Sequence, residues 1–307
     1  MDSGTTGLPA PVALVGYGEV GGILAEDLRA QGVVVTTFDI KLAAEAGDAM
    51  RRHAQVHGVH LAASAAAAVQ GAALVVSAVT ASQAVAVAQA CAPAIPPRAF
   101  FLDLNSASPG AKISAARHIN AADGRYVEGA VMTSVPPYRI KVPLLLGGPD
   151  AAALAPLLSA LGFAPRVAST ALGVASATKM CRSVMIKGLE AMVIESLTTA
   201  RAHGVEDAVL ASLAETFPGI DWERQATYFF QRVIEHGRRR SEEMLEAAQT
   251  VREAGLDPWS ASASAQRQAA VAALADTGLF GSRGEPGFAR SAAWRTEADR
   301  LLASRKA

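Results

Sequence analysis

The chain has 307 residues, with 28 Lys plus Arg against 28 Asp plus Glu, 51% hydrophobic residues and 5% aromatic. That length predicts about two domains with room for full cores, and a formal net charge of zero excludes an electrostatic case for nucleic acid. Two cysteines, Cys91 and Cys181, are too few for a disulfide framework or a cysteine-rich metal centre and fit a thiol-keeping cytoplasm.

Residues 1–8 show no basic start followed by an apolar run, so no signal peptide is expected. Apolar runs at 12–16, 33–39, 59–63, 74–79, 99–105, 126–132 and 142–148 then alternate with helical stretches. Continuous Val, Leu and Ala runs of this kind suit strands covered on both faces, and the alternation predicts an α/β, doubly wound domain over residues 1–168. The last two runs are closely spaced around Pro136 and Pro137, which predicts a partly antiparallel pair at the sheet's edge. Residues 61–97 hold no Asp, Glu, Lys or Arg. Ala dilution and interruptions such as Gln70, Gly71, Gln83, Gln89 and Pro93 still deny them the apolar continuity of a membrane span, so no membrane partner is expected.

The first run leads directly into Gly16-Tyr17-Gly18-Glu19-Val20-Gly21-Gly22, which opens a helix. In this Rossmann-type pattern the first glycine permits the tight turn, the second lets a pyrophosphate approach the backbone, and the third lets helix and strand pack closely. The amides around Glu19 and Val20, at the helix start, would face the phosphates. Asp39 ends the second run eighteen residues after Gly21. A carboxylate there would accept hydrogen bonds from an adenosine ribose and repel a 2′-phosphate, which favours NAD over NADP. Lys41, two residues on, would receive a phosphate if the loop turned outward, so NADP stays open. Val79 and Thr80, at the end of the fourth run, join the predicted cofactor-facing set.

His53, His57 and His60 have metal-like spacing, but Ala54 stands where a zincin carries its Glu, and 59–63 reads as a strand. A solvated loop and no metal are expected there. Beyond residue 170 strand signals stop, and one long helix is predicted over 171–203. Further helices are expected at 207–217, 222–236, 241–254 and 260–279, punctuated by Pro218, Gly219, Gly237, Gly255 and Pro258. An all-helical second domain, 169–307, follows, with its first helix walling a cleft against the first domain.

On that helix Lys179, Arg182, Ser183, Lys187 and Glu190 fall in one sector at roughly 100° per residue, and apolar residues such as Met180, Val184, Leu189 and Val193 occupy the rest. The plain reading is a solvated face with i, i+3 and i, i+4 ion pairs. The functional reading is a cleft lysine whose pKa is lowered by desolvation and by Arg182 and Lys187, able to take or give an alcohol's proton. Ser176 and Lys179 fit S-x-x-K, but the companion segments of acyl-transfer enzymes are missing. Arg238, Arg239 and Arg240 ordinarily make a solvated helix start; beside His236 they could instead bind a substrate carboxylate or phosphate.

Three segments occur in order: the glycine loop, Asp103-Leu104-Asn105-Ser106-Ala107-Ser108-Pro109, and Gly173-Val174-Ala175-Ser176-Ala177-Thr178-Lys179. Together they resemble the β-hydroxyacid dehydrogenase family, including 6-phosphogluconate dehydrogenase-like and 3-hydroxyisobutyrate dehydrogenase-like enzymes, over nearly the whole chain. Residues 236–258 resemble the C-terminal domain of one 6-phosphogluconate dehydrogenase-like branch. The resemblance implies NAD(P)-dependent hydride transfer with a hydroxyacid-like, anionic substrate, Lys179 as general acid/base, and Asn105, Ser106 and Pro109 in a loop near the nicotinamide. It also implies a homodimer, since small helical C-terminal domains of such relatives commonly interlock. Ser183 stands in place of the family's usual catalytic asparagine, and Ala175 in place of its second glycine before the lysine. Met132, Thr133 and Ser134, with Glu128 ahead of them, replace an Asp-containing Ser-Gly-Gly substrate motif, and Glu242-Glu243 replaces a late Lys-Asp pair. The substrate-side set is therefore Ser106, Met132, Thr133, Ser134, Arg182, Lys187, His236, Arg239 and Arg240. Imine reductases share the architecture and take NADPH, but usually lack the lysine. A non-catalytic dinucleotide-binding protein is the reading from a different class.

Overall fold

The computed structural model describes residues 11–44, 47–289, 291 and 293–304. The chain forms two compact units, Met1–Met180 and Cys181–Ala307. The division falls inside the long helix. Its physical reason is that Ala175, at the start of that helix, is fully buried against Ala130 and Leu145 of the sheet.

In the first unit the elements run β1 (Val12–Val15), α1 (Glu19–Ala30), β2 (Val35–Phe38), α2 (Asp48–His57), β3 (His60–Leu61), α3 (Ala65–Val69), β4 (Leu74–Ser77) and α4 (Ala84–Cys91). They continue as β5 (Phe100–Asp103), α5 (Pro109–Ala121), β6 (Arg125–Val131), β7 (Pro143–Gly147), α6 (Ala151–Ala160) and β8 (Ala164–Ser169). One eight-stranded sheet has the order β3-β2-β1-β4-β5-β6-β7-β8. Val12 and Leu14 point into one core with Leu24, Leu28, Leu154 and Leu158, while Ala13 and Val15 point into another with Phe101, Ile119 and Tyr126. That alternation, apolar on both faces, is what a doubly wound sheet demands of its central strands. The order reverses beside β1, between β2 and β4, so the carboxyl ends of β1 and β4 flank a topological switch point where such sheets bind ligands.

The expected antiparallel pair is present as β6 and β7. It does not end the sheet: β8 adds in parallel beyond β7. β8 escapes a hydrophobicity reading because it is a largely exposed edge strand containing Pro165. Residues 53–57, expected in a solvated loop, belong to helix α2, which ends on Gly58 in the left-handed region (φ 64°).

The long helix α7 (Val174–His203) is followed by α8 (Glu206–Thr216), α9 (Trp222–Glu253), α10 (Trp259–Asp276) and α11 (Trp294–Ala303). In the second unit Ile194, Phe230, Val233, Ile234, Val271 and the fully buried Trp294 share a core. The two helices expected at 222–236 and 241–254 are one helix of 32 residues. Gly237 does not break it. A Cβ there would lie 2.8 Å from the Gln268 carbonyl oxygen and 3.2 Å from Ala272 Cβ, so the glycine is where α9 and α10 touch backbone to backbone. Among the described residues no helix is long and apolar enough to cross a membrane.

Candidate functional site

The three glycines after β1 have three different surroundings. Gly16 has φ +98°, and a Cβ on it would meet the Ala78 carbonyl oxygen at 2.3 Å. A Cβ on Gly21 would meet the Gly16 carbonyl oxygen at 2.1 Å, so helix α1 lies directly on the turn. Gly18, which precedes the first helical residue Glu19, has nothing within 4 Å of that position. The crowded pair shapes the turn, and the open one leaves the α1 N-terminus approachable by an anion. These residues fit a dinucleotide's pyrophosphate.

Asp39 closes β2 with both carboxylate oxygens oriented by the backbone. Its Oδ2 accepts from the Tyr17 amide at 2.8 Å and its Oδ1 from the Lys41 amide at 2.9 Å. Each oxygen retains a lone pair for a ribose hydroxyl, while Lys41 itself is exposed. Val79 and Thr80 follow β4 and are half-buried and exposed, respectively. Met132, half-buried, and Ser134 and the exposed Thr133 follow β6 at the same carboxyl edge, because β6 runs parallel to β5.

Behind this edge lies a network that the sequence reading missed. Asp103, fully buried, accepts on Oδ1 from Lys112 Nζ (2.9 Å) and the Asn105 amide (2.8 Å), and on Oδ2 from the Tyr126 hydroxyl (2.7 Å). Lys112 Nζ also donates to the Asp103 carbonyl at 2.8 Å. Burial, then the Asp103 carboxylate, raises the Tyr126 hydroxyl well above its ordinary pKa, which keeps it a donor. Asn105 extends the network: its Oδ1 accepts from the Val79 amide at 2.6 Å and its Nδ2 donates to Ser77 Oγ at 2.9 Å. The ends of β4 and β5 are thus tied together by one side chain.

Next to Asn105, Ser106 Oγ accepts from Lys179 Nζ at 2.6 Å; both side chains are half-buried. The helix carrying Lys179 is seated by Glu128 of β6. Its buried carboxylate accepts from the Ala175 amide at 3.0 Å and from Ser176 Oγ at 2.7 Å, giving the α7 N-terminus a capping anion supplied by the sheet. Gly147 leaves room for it, since a Cβ there would stand 2.3 Å from Glu128 Oε1. Ser176, the serine of S-x-x-K, is therefore spent on capping.

In the second unit two members of the expected anion-binding set are already engaged. Lys187 pairs with Glu243, and Arg240 is bidentate on the buried Glu190, with Nε to Oε2 at 2.9 Å. Burial lowers the Lys187 pKa while Glu243 opposes the shift. A substrate carboxylate would have to break a buried pair to use either cation. Burial, with Arg232 next in weight, pushes the His236 imidazole down to about 4, so it is neutral at pH 7 and brings no charge to an anion site. Ser183 is buried, whereas Arg182 and Arg239 are exposed.

A family model described as the NAD binding domain of 6-phosphogluconate dehydrogenase matches residues 11–168. A second, a domain of unknown function (DUF1932), matches residues 200–271. No curated protein compared with the chain matches it. Among solved structures, a conserved hypothetical protein from Sinorhizobium meliloti 1021 is 36% identical, with 97% of each chain covered and a TM-score of 0.75. A conserved protein of unknown function, described as structurally similar to 3-hydroxyacid dehydrogenases, is 30% identical over 86% of this chain and 98% of its own, at a TM-score of 0.67. Mycobacterium tuberculosis 3-hydroxyisobutyrate dehydrogenase with L-serine, at 16% identity, 95% and 99% coverage and a TM-score of 0.71, shares the fold. The first unit is thus an NAD(P)-binding domain on a hydroxyacid dehydrogenase-like scaffold.

Proposed function

The chain belongs to the family defined by the NAD binding domain of 6-phosphogluconate dehydrogenase, and from that premise we propose an NAD(P)-dependent oxidoreductase acting on the CH–OH group of a small hydroxyacid-like substrate, with Lys179 as general acid/base. The observation that carries the reading is the 2.6 Å hydrogen bond between Lys179 Nζ and Ser106 Oγ. It sets an amine beside the loop whose neighbour, Asn105, ties β4 to β5 at the carboxyl edge. When bound, the cofactor supplies or accepts the hydride. Lys179 takes the hydroxyl proton in oxidation and returns it in reduction, and Ser106 and Glu128 hold its position from two sides. Ser183, four residues further along α7, is proposed as a shorter substitute for the family's asparagine. Met132, Thr133 and Ser134 are the proposed substrate-side residues of the edge. A screen of hydroxyacids, polyols and imines with both cofactors tests the reading. Turnover confined to imines would overturn it in favour of the imine reductase alternative, and cofactor binding without any turnover would favour the non-catalytic one.

Asp39 sets the expected cofactor preference. Its carboxylate, fixed by two amides, favours an unmodified ribose and repels a 2′-phosphate. In a fluorescence titration NADH is expected to bind at least tenfold more tightly than NADPH, and Asp39→Ala to narrow the gap. NADPH binding tenfold more tightly than NADH would refute the Asp39 argument.

A homodimer belongs to the same proposal. Met185 and Met192 of α7 are 73% and 62% exposed, with Ile186 beside them at 41%, an apolar run that a partner helix would cover. Light scattering at micromolar concentration is expected to give twice the chain mass; a monomer mass would remove this element.

A further inference from the structure

Helices α1 and α2 face each other through three potential ligands that the dehydrogenase reading does not use. His53 and His57 lie one turn apart on one face of α2, with ring centroids 4.5 Å apart. Glu26 of α1 turns one carboxylate oxygen to both: Oε1 is 2.8 Å from His53 Nε2 and 3.8 Å from His57 Nε2. The three ligand atoms lie within 4.8 Å of one another. A hydrogen bond accounts for the first contact. The second is too long for one, yet it brings a second imidazole nitrogen to the same oxygen.

The groups around the three residues orient them. Arg139 Nη2 holds Glu26 Oε2 at 2.6 Å, which leaves Oε1 toward the rings. Arg139 is itself fixed, with φ 53°, its Nε 2.8 Å from Asp27 Oδ1, and the following Ile140 amide 3.0 Å from Asp27 Oδ2. The Tyr17 hydroxyl stands 2.7 Å from His53 Nδ1. This is the outer shell a metal site needs: a partner for the imidazole's remote nitrogen and one for the carboxylate's remote oxygen.

We propose that Glu26, His53 and His57 form a site for a divalent transition-metal ion, zinc being the type ion, with water as the fourth ligand. Two imidazoles and one carboxylate suit zinc better than magnesium or calcium, which prefer all-oxygen sets. Tetrahedral binding at about 2.0–2.2 Å per ligand needs the three atoms roughly 3.4 Å apart, a side-chain-scale adjustment from those seen. The Glu26, His53 and His57 side chains are 29%, 28% and 34% exposed, which leaves an open side for the water. When the ion binds, the proton between His53 Nε2 and Glu26 moves to His53 Nδ1, which then donates to Tyr17 Oη. No proton need be lost overall. The ion would clip α1 to α2 beneath Tyr17 of the glycine loop, independently of whether the chain catalyses anything.

The test is calorimetric titration of zinc into the chelator-treated full chain. One zinc per chain is expected, with an accompanying rise in Tm. His57→Ala, which leaves the Tyr17, His53 and Glu26 hydrogen bonds intact, is expected to weaken binding at least tenfold and to abolish the zinc-dependent Tm rise. Glu26→Gln, which keeps the side chain's shape, provides the same readout should His57→Ala fail to fold. Cys181→Ser, removing the exposed thiol, is expected to change zinc affinity less than twofold. Wild-type protein that takes up no zinc at about 100 μM, a concentration well above a useful Kd, would overturn the site. So would variants of Glu26 or His57 that bind zinc as the wild type does.

Discussion

Lys179→Met is expected to leave dinucleotide affinity within about twofold of wild type and to lower turnover by roughly a hundredfold or more, the usual scale for a lost acid/base. Methionine keeps the length of the lysine stem and removes the proton carrier. The half-buried position of Lys179 therefore stays filled, and the glycine loop and Asp39 are untouched. Ser106 Oγ loses a donor, but a half-buried hydroxyl can find water, so the loop has no reason to collapse. The effect should fall on kcat and on kcat/KM alike, because an acid/base works in the transition state rather than in substrate binding. The measurement is steady-state kinetics on whichever substrate the screen identifies, with cofactor affinity read separately by fluorescence. Wild-type turnover in Lys179→Met would exclude the role. A large rise in KM at constant kcat would turn Lys179 into a binding residue.

The parts of this site that were legible in the sequence are those whose constraint is local. Gly16, Gly18 and Gly21 differ in surroundings as their spacing implied, because a tight turn between a strand and a helix leaves the backbone no other solution. Asp39 was legible for the same reason, since it ends a strand and caps the next turn. Contacts between distant segments were not. Lys187 and Arg240 looked like free cations because their carboxylates, Glu243 and Glu190, lie 56 and 50 residues away on another helix. Lys112 is 1% exposed because it reaches Asp103, nine residues away on another element. Gly237 read as a helix end because glycine lowers helix propensity, whereas the constraint it answers is close approach to α10. The sequence places His53 and His57 in a loop, and only the packing of α2 on α1 brings both rings to Glu26.

The buried Asp103 network gives the largest expected effect on stability. Asp103→Ala removes the carboxylate that Lys112, Tyr126 and the Asn105 amide all use. Among the described residues, an ammonium 1% exposed is then left with only the residue-103 carbonyl as hydrogen-bond partner. Breaking a buried ion pair by deleting one member costs about 3–5 kcal/mol, because the surviving charge stays desolvated. The two buried polar groups around it add to that cost. If stranded charge is the cause, deleting the charge as well should recover part of the loss. Asp103→Ala combined with Lys112→Met is therefore expected to be more stable than the sum of the single changes by at least about 1 kcal/mol, the coupling of directly interacting groups. Urea unfolding of the four proteins measures this cycle, and simple additivity would show that Lys112 and Asp103 do not act as a pair. The same carboxylate anchors the Asn105 amide and so the loop that presents Ser106 to Lys179. Asp103→Asn, which keeps the shape and loses the charge, should then lower kcat before it lowers cofactor affinity, because the glycine loop does not depend on it.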